Sequence, residues 1–234
     1  MMKKLLKLVL GLLLLFVIYI VVTLIHGTLT DYQPPLETEL RLEQSSGQLV
    51  IQDSILSFAI WNLGYAGLGK ESDFFFSDGS SLLSGGRMVR SSEELVEKNL
   101  AGIEQFLKGT RSDFFMLQEV DYDSKRSYGH NQFALAQESL PAYAAAKATN
   151  YQVKRVPLPV LEPWNVYGKV WGGLATLGRY QPLESKRLQL PGEYAWPTRI
   201  FQLDRCILYQ QYAVKDDRKL TLLNVHNSAY DGGV

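Results

Sequence analysis

The chain begins with an uncharged apolar segment long enough to cross a lipid bilayer. It covers residues 8–25, which are 18 positions without a charged side chain. About 18 to 20 such residues cross a hydrocarbon core roughly 30 Å thick as a helix. Lys3, Lys4 and Lys7 precede the segment, and basic residues tend to stay on the cytoplasmic side. The pattern predicts a transmembrane anchor at residues 1–26, with a cytoplasmic N-terminus and an extracytoplasmic domain.

Two alternatives to an anchor remain open at this point. A cleavable signal peptide has a shorter apolar stretch, about 7–15 residues, and ends in a small-residue cleavage site. Here the stretch is longer and continues as Val-Thr-Leu-Ile-His-Gly without an Ala-x-Ala pattern. A buried core helix is the second alternative, and the lysine cluster in front of the segment disfavours it. With an anchor or a signal peptide, the domain lies outside the cytoplasm.

The remainder of the chain divides into a short linker and one domain. Residues 27–48 contain Pro34 and Pro35, charges of alternating sign and few large apolar side chains, which is typical of a tether. Residues 49–234 are predicted to form the domain, since a chain of 234 residues accommodates one sizeable domain and an appendage. The hydrophobic content of 46% and charged content of 21% are those of an ordinary globular protein.

Charge and cysteine content disfavour two classes of function. Three of the 24 basic residues precede the first acidic one, so 21 basic residues are set against 24 acidic ones in the rest of the chain. Proteins that grip nucleic acid by its phosphates usually present a basic face, so nucleic-acid binding is possible but not favoured. The single cysteine, Cys206, excludes a disulfide framework within the chain and a cysteine-based metal cluster.

The first half of the domain is predicted to alternate strand and helix. Residues 55–61 are apolar nearly throughout, as in a strand covered on both faces. Ser91 begins a helix, with Glu94 three residues later in a capping box, and Gly109 ends it. The sequence DFFMLQEV at residues 113–120 is a second buried strand.

The second half is predicted to be rich in antiparallel strands. Residues 199–214 and 219–230 are two long apolar-rich runs, joined by Lys-Asp-Asp-Arg in a hairpin pattern. Helices early in the chain and antiparallel strands late favour an α/β sandwich of sheets over a doubly wound parallel sheet.

Three predicted strands end in a polar residue, namely Asn62, Glu119 and His226. Strand ends that lead into loops are where rigid scaffolds hold catalytic side chains. A carboxylate and an amide oxygen suit a hard cation such as Mg²⁺, and a nearby histidine can donate a proton or hydrogen bond to a phosphate. Structural roles stay open, because Asn62 can cap a turn, Glu119 can be a solvated strand end and His226 can be a structural histidine. Asp231 fits either a turn or a position facing the cleft.

The segment DSKRSYGHNQ, which follows the second strand, is a second candidate region. Arg126 and Lys125 can clamp a phosphate, and Tyr128 or His130 can hydrogen-bond to one. The alternative is a solvated loop in which Asn131 caps the next helix.

Four segments carry a resemblance to a known superfamily. FAIWNLGYAG, DFFMLQEVD, GGLATLGRYQP and LLNVHNSAYDGG, in this order and spacing, resemble the successive motifs of the endonuclease/exonuclease/phosphatase superfamily. The superfamily includes pancreatic-type deoxyribonucleases, abasic-site endonucleases, bacterial sphingomyelinases and inositol-phosphate phosphatases. The resemblance covers roughly residues 50–234, and the Trp-Asn-Leu and Leu-Gln-Glu-Val-Asp pair is its most specific part.

The resemblance implies a fold, a metal and roles for the strand-end residues. The fold would be a four-layer α/β/β/α sandwich of mixed sheets. By position, Asn62 and Glu119 match the family's ligands around a divalent metal, which would be Mg²⁺ or alternatively Mn²⁺. His226 matches a histidine that contacts the scissile phosphate. The metal would neutralise charge on a phosphoryl oxygen during attack by water.

The resemblance also implies that part of the pattern is missing. The superfamily's later Asp-x-Asn and Asp-His motifs do not occur before Val234, so we expect a fragment with an incomplete sandwich and weak or no activity. The leading hypothesis is a Mg²⁺-dependent phosphoesterase at the outer face of a membrane. A lipid head group or small phosphorylated molecule is mildly favoured over nucleic acid as the substrate. The alternative is a catalytically silent, membrane-tethered binding module or an inactive fragment.

Overall fold

The computed structural model describes residues 2–75, 81–192 and 194–227. Short 3-10 helices occur at Gly64–Ala66, Lys125–Ser127 and Thr198–Phe201. The helices and strands of the described residues are α1 (Met2–Leu29), β1 (Glu37–Glu39), β2 (Gln44–Ser45), β3 (Val50–Ile51), β4 (Phe58–Asn62), α2 (Glu93–Gly109), β5 (Phe114–Asp121), α3 (Gln132–Ser139), β6 (Ala144–Val156), β7 (Gly168–Gly178), β8 (Glu184–Gln189), β9 (Cys206–Val214) and β10 (Arg218–Val225).

Helix α1 is continuous over 28 residues. By length and composition it can cross a membrane, and the apolar side chains of its first half are exposed. It is longer than the predicted anchor, because helical geometry continues past residue 26 to Leu29.

The strands form two mixed sheets. The helix-covered sheet has the order β2-β6-β7-β5-β4, in which β4 and β5 are parallel and the other pairs are antiparallel. The outer sheet has the antiparallel order β1-β8-β9-β10, and β3 pairs in parallel with the end of β9. The predicted hairpin is confirmed as β9 and β10, whose register joins Arg218 to Val214 and Val225 to Ile207.

The core has two layers, since successive strand residues point to opposite faces of a sheet. Phe115 and Leu117 of β5 pack against the side of the sheet that α2 and α3 cover. Phe114, one residue earlier, packs between the sheets, and its ring lies 5.1 Å from that of Tyr212 on β9. The fold is therefore an α/β sandwich of mixed sheets, as predicted. Helix, sheet and sheet are three of the four expected layers, and no helix among the described residues covers the outer sheet.

The N-terminus of α2 differs by one residue from the predicted cap. Ser92 is the N-cap, and its Oγ accepts a hydrogen bond from the Leu95 amide at 3.3 Å. The hydroxyl of Ser91 instead donates to the carbonyl of Gly67 in the preceding loop. The helix ends at Gly109, as predicted.

The predicted tether requires correction, because much of it belongs to the sheets. Strand β1 pairs with β8, β2 pairs with β6, and Gln48 bridges to Tyr180. Sheet edges present unpaired backbone groups, and these short strands satisfy them. The prolines and charged residues of the predicted tether did not indicate this pairing, because backbone hydrogen bonds between strands form with many types of side chain.

The run at residues 55–61 is also corrected, because it is not a strand covered on both faces. Only Phe58–Asn62 forms β4, and β4 is an edge strand. Trp61 packs edge-on against Phe106 of α2 at 4.9 Å between ring centroids. On the other face Ile60 is 68% exposed.

Candidate functional site

The three predicted strand-end residues come together at one end of the sandwich. Asn62 is the last residue of β4, Glu119 lies near the end of the adjacent β5, and His226 directly follows β10. The Asn62 Nδ2 group donates a hydrogen bond to Glu119 Oε1 at 2.9 Å. His226 Nε2 lies 3.5 Å from the same oxygen. The carboxylate of Glu119 is thus the centre of the group.

The backbone of Glu119 leaves the regular strand geometry. Its φ is +51°, and the register of β5 against β7 shifts between Leu117 and Val120. A left-handed conformation costs an L-residue about 1–2 kcal/mol, and such conformations cluster at functional sites. The irregularity re-aims the Glu119 side chain, which is 22% exposed although its neighbours in β5 are buried.

Asn62 caps a turn, which is one of the two alternatives that the sequence left open, and it also contacts Glu119. Its Oδ1 accepts the amide hydrogen of Gly64 at 2.9 Å, which caps the turn after β4. This bond identifies Oδ1 and leaves the NH₂ group facing Glu119. Asn62 therefore orients the Glu119 carboxylate, and Asn62 Oδ1 keeps a second lone pair.

The surroundings of His226 disfavour the charged form of its imidazole. Burial lowers its pKa below the ordinary value, the Glu119 carboxylate opposes this shift, and Arg205 adds to it. Arg205 also fixes the strand end, because its Nη1 donates to the carbonyl of His226 at 2.8 Å. Among the described residues, the buried Nδ1 of His226 has no hydrogen-bond partner.

A buried polar network supports the site, and the sequence analysis did not identify it. Gln118 Nε2 donates to Asn224 Oδ1 at 2.8 Å, and Asn224 Nδ2 contacts Thr176 Oγ1 at 3.3 Å. Gln118 precedes Glu119, and Asn224 lies two residues before His226, so the network fixes both strand ends. The available signal was a polar residue inside each of the apolar runs FFMLQE and LTLLNV, since a buried amide requires partners.

The donor set of the site fits a hard divalent cation. Glu119 offers a carboxylate and Asn62 an amide oxygen, and oxygen ligands of this kind suit Mg²⁺ or Mn²⁺. Within the described part of the chain, no hydrogen bond to Glu119 Oε2 occurs. Glu119 Oε2 is therefore available to a ligand, whereas the unpartnered Nδ1 of His226 is buried.

Arg126 requires correction as a phosphate clamp. Its guanidinium forms a bidentate ion pair with Asp121, with Nη2 to Oδ1 at 2.8 Å, and Nη1 donates to the Tyr167 hydroxyl at 2.9 Å. It also lies 3.8 Å from the ring centroid of Tyr65. Arg126 is only 7% exposed. Because a buried charge needs a partner, its role here is structural.

Tyr128 also has a structural contact in place of the predicted phosphate contact. Its hydroxyl donates to the carbonyl of Ser91 at 2.7 Å and so ties the loop to the start of α2. His130 lies beside Glu93 and Glu97, with ligand atoms within 4.8 Å of one another. Exposed groups of this kind are common without a bound ion, and we assign these residues no role.

Lys125 is the cation of this loop that remains accessible. Burial lowers its pKa, and the positive charges of Arg90 and Arg155 lower it further. Both guanidinium groups therefore lie near Lys125. Of the remaining predicted positions, Asp231 lies outside the described residues.

Comparison with known proteins adds one solved structure. No protein-family profile matches the chain, and no curated protein matches it. A crystal structure described as an endonuclease/exonuclease/phosphatase from Beutenbergia cavernae DSM 12333 is similar, with a TM-score of 0.49 and 19% sequence identity. The similarity covers 75% of this chain and 39% of that one. The chain thus spans well under half the length of that protein.

Proposed function

We propose that the chain carries the metal site of a metal-dependent phosphoester hydrolase held at the outer face of a membrane. The observation that supports this function is the convergence of Asn62 and His226 on Glu119, within 2.9 and 3.5 Å of one carboxylate oxygen. Three strands supply these residues, and Glu119 Oε2 accepts no hydrogen bond from the described residues. An oxygen-rich donor set beside a neutral imidazole is suited to phosphate chemistry.

Each residue has a distinct part in this proposal. Glu119 and Asn62 would hold Mg²⁺ or Mn²⁺, which when bound supplies charge neutralisation at a phosphoryl oxygen. His226, whose charged form burial disfavours, would donate a hydrogen bond from Nε2 to a phosphate oxygen. Arg205 and the buried amide network keep the imidazole in place.

The membrane placement is proposed from α1. Lys3, Lys4 and Lys7 favour a cytoplasmic N-terminus, which places the domain on the opposite side. The excess of acidic residues after the helix disfavours a nucleic-acid substrate. A phosphorylated lipid head group or a small phosphorylated molecule is therefore the proposed substrate class.

The test is metal binding and hydrolysis by the whole chain in lipid nanodiscs. Sphingomyelin and plasmid DNA are offered separately, with Mg²⁺, with Mn²⁺ and with EDTA. We expect metal binding by calorimetry that Glu119→Gln abolishes, with Glu138→Gln, an exposed carboxylate on α3, as the matched control. Lipid hydrolysis that requires metal supports the proposal.

Other outcomes separate the alternatives. Metal binding without turnover on either substrate identifies a catalytically silent binding module. Cleavage of DNA with no cleavage of lipid contradicts the proposed substrate class. Metal binding that survives Glu119→Gln contradicts the site itself.

A further inference from the structure

Helix α1 is packed against the domain at its C-terminal end. Gly27 is buried there, and a Cβ atom at this position would lie 2.9 Å from Ile200 Cδ1 and 3.1 Å from Phe201 Cε1. Trp196 Nε1 donates a hydrogen bond to Thr28 Oγ1 at 3.2 Å. The domain is therefore fixed to the helix by direct contacts.

The contact extends into the apolar segment of the helix. A largely apolar cavity of about 340 Å³ lies between α1 and three loops of the domain. Its wall on the helix includes Tyr19 and Leu24, and its wall on the domain includes Leu158, Val160 and Phe201. Tyr19 lies six residues before the end of the uncharged segment, which corresponds to about 9 Å along a helix axis. If α1 spans a bilayer, these loops lie at the depth of the lipid head groups and the upper acyl chains.

The same loops expose large apolar side chains. The backbone of Leu161 bonds to that of Leu82 at 3.0 Å, which brings two loops together. Trp and Tyr are enriched where a protein crosses the membrane–water interface, and an exposed apolar patch indicates an interaction site. The exposed side chains are Leu82 (59%), Leu83 (51%), Leu161 (42%), Trp164 (77%), Tyr194 (51%) and Trp196 (56%).

Basic residues lie next to this apolar surface. Arg155 lines a second cavity together with Tyr19 and His26 of α1, and its Nη2 donates to the carbonyl of Pro163. Arg90 Nη1 donates to the carbonyl of Val166 at 3.0 Å, and the side chain of Lys125 lies against Gly168 at the end of the same loop. In the described ranges of the chain, no carboxylate forms an ion pair with these three cations. Cations at head-group depth attract anionic lipid phosphates.

Topology places this surface at the same end of the sandwich as the candidate site. Gly172, near the start of β7, pairs with Asp121, two residues after Glu119. The loop between β6 and β7 therefore emerges beside the end of β5. Likewise Ile207, at the start of β9, pairs with Val225, so residues 194–205 emerge beside His226.

We propose that the loops at residues 81–83, 157–165 and 194–202 form a bilayer-contact face. The aromatic and leucine side chains enter the lipid interface, and Arg90, Lys125 and Arg155 bind anionic lipid phosphates. The Glu119 site then faces the head groups, and its substrate is a phosphodiester of a membrane phospholipid. This inference rests on the proposed membrane placement of α1.

The test is depth measurement by electron paramagnetic resonance on the whole chain in nanodiscs. Cys206 is fully buried, so a single introduced cysteine is the only accessible position for a nitroxide label. Trp164→Cys and Leu161→Cys report the face, and Phe16→Cys reports the insertion of α1. Lys219→Cys, at the opposite end of β10 from His226, is the control. Collisions with lipid-soluble oxygen and with a water-soluble nickel complex give the depth of each label.

We expect labels at 161, 164 and 16 to be protected from nickel and the label at 219 to be accessible to it. A lipid-protected label at 16 with water-exposed labels at 161 and 164 overturns the contact face and leaves the anchor intact. A water-exposed label at 16 overturns the membrane placement and the contact face together.

The cations are tested with the 164 label by changing lipid composition. Adding phosphatidylglycerol to phosphatidylcholine nanodiscs is expected to move this label deeper. Replacing Lys125 and Arg155 by Gln is expected to abolish that shift. The control is Arg111→Gln, because Arg111 lies near the start of β5 at the other end of the sheet; this variant is expected to retain the shift. A shift that persists in the double variant overturns the role of the cations.

Discussion

Gln118 Nε2 donates a hydrogen bond to Asn224 Oδ1 at 2.8 Å in the interior between the two sheets. Asn224 Nδ2 in turn donates to the backbone carbonyl of Ala175 at 2.9 Å. The two amides thereby connect β5, β7 and β10 directly behind the candidate site. Because Asn224 is 1% exposed, water cannot replace these bonds without opening the sandwich.

Asn224→Ala is expected to destabilise the domain by about 2–3 kcal/mol. The substitution leaves Gln118 Nε2 with only its longer hydrogen bond to the Met116 carbonyl at 3.2 Å and removes the side-chain donor to the Ala175 carbonyl. The loss of a partner from a buried polar group costs about 1–3 kcal/mol. Urea unfolding in detergent micelles, followed by tryptophan fluorescence, measures the change. Gln211→Ala, on the same sheet but half-buried, is the control. A loss below about 0.5 kcal/mol, the range of ordinary surface changes, would contradict the structural role of the network.

Arg126→Met is expected to cost about 3–5 kcal/mol, because it leaves the Asp121 carboxylate buried without its cation. Asp121 is 0% exposed and also accepts a hydrogen bond from Ser127 Oγ at 2.8 Å. Lys169→Met removes the pair with Asp123, whose side chain is 47% exposed, and should cost less than about 1 kcal/mol. Equal losses in the two variants, measured by thermal unfolding, would argue against a structural Arg126.

Glu119→Gly is expected to be about 1 kcal/mol more stable than Glu119→Ala in the metal-free protein, and both variants are expected to lose metal binding. Glycine adopts a φ of +51° without the cost that an L-residue pays there. Chemical unfolding in EDTA and calorimetric titration with Mn²⁺ measure the two effects. Glu119→Ala separates them, since it removes the ligand and keeps the unfavourable backbone conformation. A Gly variant no more stable than the Ala variant would refute the assignment of strain.

Asp113 is expected to make stability depend on acid pH. Burial raises its pKa, but hydrogen bonds from Ser57 and the charge of Arg179 outweigh burial, so the pKa lies below the ordinary value of 3.8. A lower pKa in the folded state stabilises the fold fully above the unfolded pKa of about 3.9. That stabilisation is lost as the pH falls through the folded pKa.

The corresponding measurement compares Asp113→Asn with wild type between neutral pH and pH about 3, a range that covers the unfolded pKa. The variant should be less stable at neutral pH, and the difference should shrink as the pH falls below about 4. Asp217→Asn, on an exposed turn, should show no such trend. A difference that stays constant with pH would exclude the carboxylate's charge as its cause.

The sequence by itself determined the long apolar helix, the sandwich class, the β9–β10 hairpin and the positions of Asn62 and His226 at strand ends. It placed Glu119 at a strand end too, whereas β5 continues for two residues beyond it. These features depend on local patterns, such as an uncharged run, alternation of side chains or a polar residue after an apolar strand. A local pattern is sufficient to predict an element where the segment forms its own backbone hydrogen bonds, as a helix does, or where its apolar side chains show which face is buried.

Only the tertiary structure decided which of those polar residues meet and which do not. Glu119 contacts Asn62, 57 positions away in the chain, because β4 and β5 are parallel neighbours. Arg126 resembled a phosphate ligand in the sequence, and only the folded chain shows Asp121 and Tyr167 occupying its donors. Likewise, β1 and β2 form because sheet edges far along the chain offer unpaired backbone groups. A side chain's partners depend on chain topology, and that information is not present in any local segment.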